Sequence, residues 1–315
     1  MIRALYRSAT VPGTKPPYDT LTIKVYYPAQ FTDSPMERNT GVIPPDRAGA
    51  PYPVVILLPG INVGPEAYQW LAESLTGRGM VAVTYSWIAE EMPGFISLTP
   101  GVDLDRVRPE TFGSGPTCPA LRPILEELGR LNHESLLAGV LDLDKIFLGG
   151  HSAGGTMALQ NANPAWFPQV RGVFAYGGHT GASTMLGWPE RTILPVSGEV
   201  DVLLIGGTRD GVIEASSHRY GDAASPTGPV ARTFDAILPG PGRGVLALIE
   251  GGNHFTFAHP ADPTTGRAFL DHAPTNDEDE LRALMAEMIG IFIQQPDALG
   301  RFVEHPLLSK FQLRS

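Results

Sequence analysis

Cysteine is almost absent from this chain of 315 residues, where Cys118 stands alone. One thiol makes no intrachain disulfide and leaves no second sulfur for a cysteine-based zinc site. Positive charge is also scarce: lysine and arginine total 23 against 33 acidic residues, a formal net charge of -10. Binding to a phosphate backbone needs a basic face, so no nucleic-acid partner is expected. Apolar runs long enough to span a bilayer are missing, so no membrane span is expected. The opening Met1-Ile2-Arg3-Ala4-Leu5-Tyr6-Arg7 lacks the apolar segment of a signal peptide, and a cytoplasmic location is the default.

What remains is the composition of a folded globular chain. Hydrophobic residues make up 43% and charged residues 18%, with mean hydropathy near zero, which excludes a disordered chain. The 36 glycines and 30 prolines are scattered between apolar runs, as turn and loop residues are. Short runs rich in Val, Ile and Leu alternate with segments of helical spacing, the pattern of a mostly parallel sheet covered on both faces. Strands are expected at 2–8, 20–27, 53–58, 80–85, 144–149, 170–176, 201–206 and 244–250. Helices are expected at 66–77, at 121–138, directly after Ser152, and at 277–295. The last carries Leu281, Leu284, Met285, Met288, Ile289 and Phe292 as a core stripe.

Between 87 and 120 no strand period is visible, and Pro93, Pro100, Pro109, Pro116 and Pro119 exclude a long helix. With 121–138 this stretch reads either as an excursion over the ligand-binding edge of the sheet or as a plain surface loop. A second long Pro/Gly-rich connection runs over 211–243. Neither is a linker, so 1–315 is expected to be one domain with an insertion at about 87–135.

The chemistry centres on Gly150-His151-Ser152-Ala153-Gly154, a G-x-S-x-G pentapeptide. A chain this rich in glycine produces it by chance about 0.2 times, so context must decide. Here a buried strand ends at Gly149 and a helix pattern starts at once with Thr156-Met157-Ala158-Leu159. A serine on so sharp a strand–turn–helix junction projects its hydroxyl from the sheet edge. The N–H of Ala153, at the helix start, can then donate to a developing oxyanion. The bland alternative is a glycine-rich turn with an incidental serine.

A serine nucleophile needs a base, and the base an orienting carboxylate. Asp210 follows the strand at 201–206, although Asp210-Gly211 is also a strong turn dipeptide. His254 follows the last expected strand, between Gly251-Gly252 and the aromatic residues Phe255 and Phe257. His259 competes but lies further from the strand end and precedes Pro260, and His151 reads as a packing or supporting residue of the elbow. His133, His179, His218, His272 and His305 lack the spacing of metal ligands, and no metal is expected. Leu58-Pro59-Gly60-Ile61 places a tight turn at the end of a buried strand, making the Ile61 N–H the second candidate oxyanion donor. Asn62, Trp87, Trp188 and Phe255 are the candidate substrate contacts, with core packing the plainer reading of the aromatics.

Together the Pro59-Gly60-Ile61 turn, the Gly-His-Ser-Ala-Gly-Gly elbow, Asp210 and His254 resemble the α/β-hydrolase superfamily over about residues 20–295. Within it, the chain is similar to the serine esterases grouping chlorophyllases, cutinase-like polyester hydrolases and platelet-activating-factor acetylhydrolases. That resemblance implies an eight-stranded, mostly parallel sheet with helices on both faces, no cofactor and an acyl-enzyme mechanism; the segment 87–135 departs from the lidless cutinase-like pattern and is expected to be a lid-like insertion. Unlike the secreted polyester hydrolases the chain has no disulfide, carries Ala153 after the serine and has the long segment 87–135, so a small-molecule or lipid-like ester is the expected substrate. An acyltransferase or amidase, a hydrolase or lyase of a specialised metabolite, and a non-catalytic binding protein on the same fold stay open, and the oligomeric state is not legible.

Overall fold

The computed structural model describes residues 1–92 and 94–314; Pro93, expected to help exclude a helix, lies outside the described residues. Ten strands form the sheet: β1 (Ile2–Thr10), β2 (Thr20–Pro28), β3 (Tyr52–Leu58), β4 (Val81–Met92), β5 (Phe95–Leu98), β6 (Leu141–His151), β7 (Val170–Tyr176), β8 (Asp201–Gly207), β9 (Gly244–Ile249) and β10 (Leu308–Arg314). The helices are α1 (Pro35–Thr40), α2 (Gln69–Gly77), α3 (Leu121–Glu134), α4 (Ala153–Asn161), α5 (Gly211–Ser216), α6 (Gly228–Asp235) and α7 (Glu278–Gln294).

The sheet order is β1-β2-β4-β3-β6-β7-β8-β9-β10, with β5 folded back on the end of β4. From β4 to β9 every neighbouring pair is parallel, while β1, β2, β5 and β10 join antiparallel. Parallel strands need crossovers, and these helices cover both faces. Alternate residues divide accordingly. Val54, Ile56, Val173 and Leu204 face a core completed by α3, α4 and α6. Val55, Leu57, Phe174 and Leu203 face one completed by α2 and α7. The central strands are buried on both sides, which is why they read as unbroken apolar runs.

Ten strands replace the eight expected. β5 has only four residues and lies where the prolines obscured any period. β10 is an edge strand in which Leu308, Phe311 and Leu313 are partly exposed, too weak a pattern to stand out. The connection 211–243 is likewise not irregular, since it contains α5 and α6. Nor is α3 a lid. Its Ile124, Leu128 and Leu131 are buried in the sheet's core, so it is a covering helix.

The end of the preceding segment is tied to α4 by a buried asparagine. Asn161, fully buried at the end of α4, accepts the N–H groups of Thr117 and Cys118 at 3.0 and 3.3 Å. Its amide nitrogen donates to Thr117 Oγ1 and the Met157 carbonyl, both at 2.8 Å. Replacing it removes the acceptor that these two buried N–H groups share. Asn161→Ala is therefore expected to cost about 1–3 kcal/mol in denaturant unfolding. It should also accelerate the reaction of the buried Cys118 with a thiol reagent, the lone cysteine serving as an internal probe.

Candidate active site

The strands β3, β6, β8 and β9 deliver four loops to one end of the sheet. At the end of β6 the chain turns so sharply that Ser152 takes φ 55 and ψ -123, a region that non-glycine residues rarely occupy. Its N–H is held by the Tyr176 carbonyl at 2.9 Å, and its own carbonyl accepts from Thr156 at 3.0 Å as α4 begins. A Cβ on Gly150 would stand 2.3 Å from the Gly154 carbonyl oxygen, and one on Gly154 2.2 Å from that of Leu58. The elbow closes only with glycine at both positions, and it then presses directly on the Leu58-Pro59 backbone.

The same packing brings the turn before Ile61 against the elbow, a Cβ on Gly60 falling 3.5 Å from Ser152 Cβ. Neither the Ala153 nor the Ile61 backbone N–H has an acceptor among the described residues, as expected for a first helical turn and for a turn facing a cleft. Asn62 has φ 57 and is anchored, its N–H donating to the Leu98 carbonyl at 2.9 Å and its Oδ1 accepting from Leu98 at 3.2 Å. The same asparagine side chain therefore fixes β5 next to the Pro59-Gly60-Ile61 turn.

Asp210 is fully buried and caps α5, its Oδ1 accepting from the Ile213 N–H at 2.8 Å. Its Oδ2 accepts from His254 Nδ1, also at 2.8 Å. One oxygen of Asp210 thus serves the turn and the other meets His254, the contact that the functional reading expects. His254 opens a 3-10 turn locked by the reciprocal cap of Asn253 and Thr256. Burial pulls the His254 pKa down, but the charge and hydrogen bond of Asp210, with Asp271 beyond, outweigh it and leave the pKa above its ordinary value. Among the described residues no hydrogen bond joins Ser152 Oγ to His254 Nε2; such bonds are often long or poorly aligned before substrate arrives.

His151 joins these parts. It is fully buried, its ring centroid lies 4.7 Å from that of His254, and burial with the nearby His254 holds its pKa well below the ordinary value. The neutral ring then donates from Nε2 to the His254 carbonyl and accepts at Nδ1 from the Tyr68 hydroxyl, both at 3.0 Å. Tyr68 in turn accepts the Gly60 N–H at 2.9 Å. One hydrogen-bonded chain thus links the turn at Gly60, the elbow and the His254 loop. Tyr68→Phe leaves the Gly60 N–H and His151 Nδ1 unpaired in the core, and is expected to lower unfolding stability by about 1–3 kcal/mol in denaturant titration.

Asp271 was not legible as a site residue. Its Oδ1 accepts from Gly211, next to Asp210, at 2.9 Å, and its Oδ2 accepts from Phe255, next to His254, at 3.1 Å. It clasps the acid loop to the base loop. Nothing in the local sequence Leu270-Asp271-His272 marks it, since its role depends on a 3-10 turn folding back from the far side of the site. Because Asp271 raises the His254 pKa, Asp271→Asn should move the acid limb of the pH–rate profile to lower pH. An unmoved limb would show that the carboxylate does not act on the imidazole.

The remaining expected contacts divide. Phe255 stacks edge-on against His254 at 5.3 Å and borders a cavity of about 290 Å³ lined also by Val63, Ala67, Ala258, Pro260 and Thr265. Trp87 is not brought to the site; it is buried in the core, donating from its indole to the Tyr18 carbonyl at 2.9 Å. Trp188 packs edge-on against Phe112 and donates to the Val107 carbonyl, holding the 107–112 segment. Among the described residues no helix is long and apolar enough to cross a membrane.

No family model matches this chain, and no curated protein matches it either. Among solved structures it is similar to a ferulic acid esterase from Streptomyces cinnamoneus, with a TM-score of 0.60. The match covers 93% of this chain and 89% of that chain at 18% identity, a likeness of fold.

Proposed function

We propose that this protein is a serine esterase of the α/β-hydrolase type, cleaving a small-molecule carboxylic ester through an acyl-enzyme. The observation that carries this reading is the buried 2.8 Å hydrogen bond between Asp210 and His254, set beside a serine in a strained elbow. The shared fold with a ferulic acid esterase supports it.

In this mechanism His254 Nε2 takes the Ser152 proton as Oγ attacks the ester carbonyl. Asp210 holds the Nδ1 proton and stabilises the imidazolium that forms. The N–H groups of Ala153 and Ile61 receive the tetrahedral oxyanion, where loss of one donor typically costs about 10²–10³ in rate. His254 returns the proton to the leaving alcohol, and water then attacks the acyl-enzyme with the same base. Phe255 and the adjoining cavity give the ester an apolar wall.

Because the base must be neutral, kcat/KM should rise with pH through a pKa above the ordinary histidine value of 6.5. The decisive test is hydrolysis of p-nitrophenyl esters from acetyl to palmitoyl. Ser152→Ala should lower kcat by several orders of magnitude. Equal rates for wild type and Ser152→Ala would remove the serine mechanism, while turnover of amides in preference to esters would redirect it to an amidase.

A further inference from the structure

The residues 260–271 cross the mouth of the site. Thr265 Oγ1 approaches the Asn62 carbonyl at 3.4 Å on the oxyanion side, and Asp271 clasps the acid and base loops on the other. Arg267 lies midway. Its Nη1 donates to Ser216 Oγ at 2.7 Å, at the end of the helix that Asp210 caps. A guanidinium has five N–H donors. Arg267 has no carboxylate partner among the described residues, although it is half-buried and acidic residues outnumber basic ones by 33 to 23. Arg282 is paired with Glu278 and Asp279, and Arg232 with Asp222, while Arg209, the other half-buried arginine without a carboxylate among the described residues, donates to the Ala273 carbonyl. Half-burying a charge without a counter-ion costs free energy unless a ligand supplies one.

Two further donors stand near the elbow, where the His179 carbonyl accepts from Thr156 Oγ1 at 2.9 Å. His179 is buried, and its Nδ1 accepts from the Gly181 N–H at 3.1 Å, so the neutral ring carries its proton on Nε2. Burial holds its pKa at about 4, and it stays neutral in ordinary buffers. Its ring meets Tyr220 edge-on at 4.6 Å. Neither His179 Nε2 nor the Tyr220 hydroxyl has a hydrogen-bond partner among the described residues. The Arg267 charge acts on both Tyr220 and His254, which puts this cation within electrostatic reach of the reacting centre.

We propose that the ester taken by this site carries a carboxylate, bound by Arg267 with His179 and Tyr220 as flanking neutral donors. This rests on the esterase reading and specifies its substrate class. Guanidinium geometry suits carboxylate and phosphate alike. The choice between them follows from Asp210 and Asp271, whose charges oppose a phosphate dianion more strongly than a single negative charge. Arg267 binds the substrate away from the scissile bond; it transfers no proton.

The test measures kcat/KM for matched esters with the carboxylate on either side. On the acyl side, mono-p-nitrophenyl glutarate is compared with p-nitrophenyl pentanoate. On the alcohol side, p-carboxyphenyl acetate is compared with p-tolyl acetate, and p-phosphophenyl acetate is added. Wild type should favour the carboxylate on the order of ten-fold in one arm, chiefly through KM. That ratio should shrink with added salt, collapse toward one in Arg267→Gln, and survive in part in Arg267→Lys. No carboxylate preference in either arm of the wild type, a preference retained in Arg267→Gln, or a stronger preference for phosphate would overturn the proposal. Each of these leaves the esterase reading intact so long as Ser152-dependent turnover of the neutral esters is seen. No such turnover of any ester would overturn both.

Discussion

A fully buried carboxylate is the constraint on which the rest of this site depends. Asp210 has left water completely, and an ionised group in that position is tolerated only where partners replace its hydration. Both of its oxygens are engaged, one by the Ile213 N–H and one by His254 Nδ1, each at 2.8 Å. The cost of burying the charge is therefore offset by the same bonds that orient the imidazole. Moving α5 by an ångström would break the cap and the imidazole contact together. Asp271, accepting from the neighbours of both partners, closes the two loops into one rigid unit.

The sheet supplies the other half of the geometry. Parallel strands place their carboxyl ends side by side, so four loops far apart in sequence meet within a few ångströms. Packing then makes the arrangement exclusive: Gly150 and Gly154 have no room for a side chain, and the elbow rests on the Leu58-Pro59 backbone. The strained backbone at Ser152 is held by the Tyr176 carbonyl behind it and by α4 ahead. His151 and Tyr68 convert this proximity into directed hydrogen bonds, connecting the turn at Gly60 to the carbonyl of His254.

The parts of this structure that were legible in the sequence are those whose signal is local. Strands buried on both faces announce themselves as apolar runs, and β3, β7 and β8 fall where expected. Glycines packed around a serine, and Asp or His directly after such a strand, mark the loops that converge. Elements whose identity depends on distant partners stayed hidden. β5 exists because it pairs with the extended end of β4 and is tied to Asn62, and β10 because β9 offers an open edge. Trp87 illustrates the converse, an aromatic with no local sign that it belongs to the core. Tyr68, Asp271 and Arg267 act through contacts made across the fold, and their immediate neighbours carry no trace of it.

The central claim is that Ser152 is a nucleophile made reactive by the buried Asp210–His254 pair. It is tested most directly by incubating the protein with a fluorophosphonate and locating the adduct by peptide mass spectrometry. The account requires a single modification on Ser152, formed rapidly in the wild type and far more slowly in His254→Ala. An unmodified Ser152, an adduct on another serine, or equal labelling rates with and without His254 would contradict it.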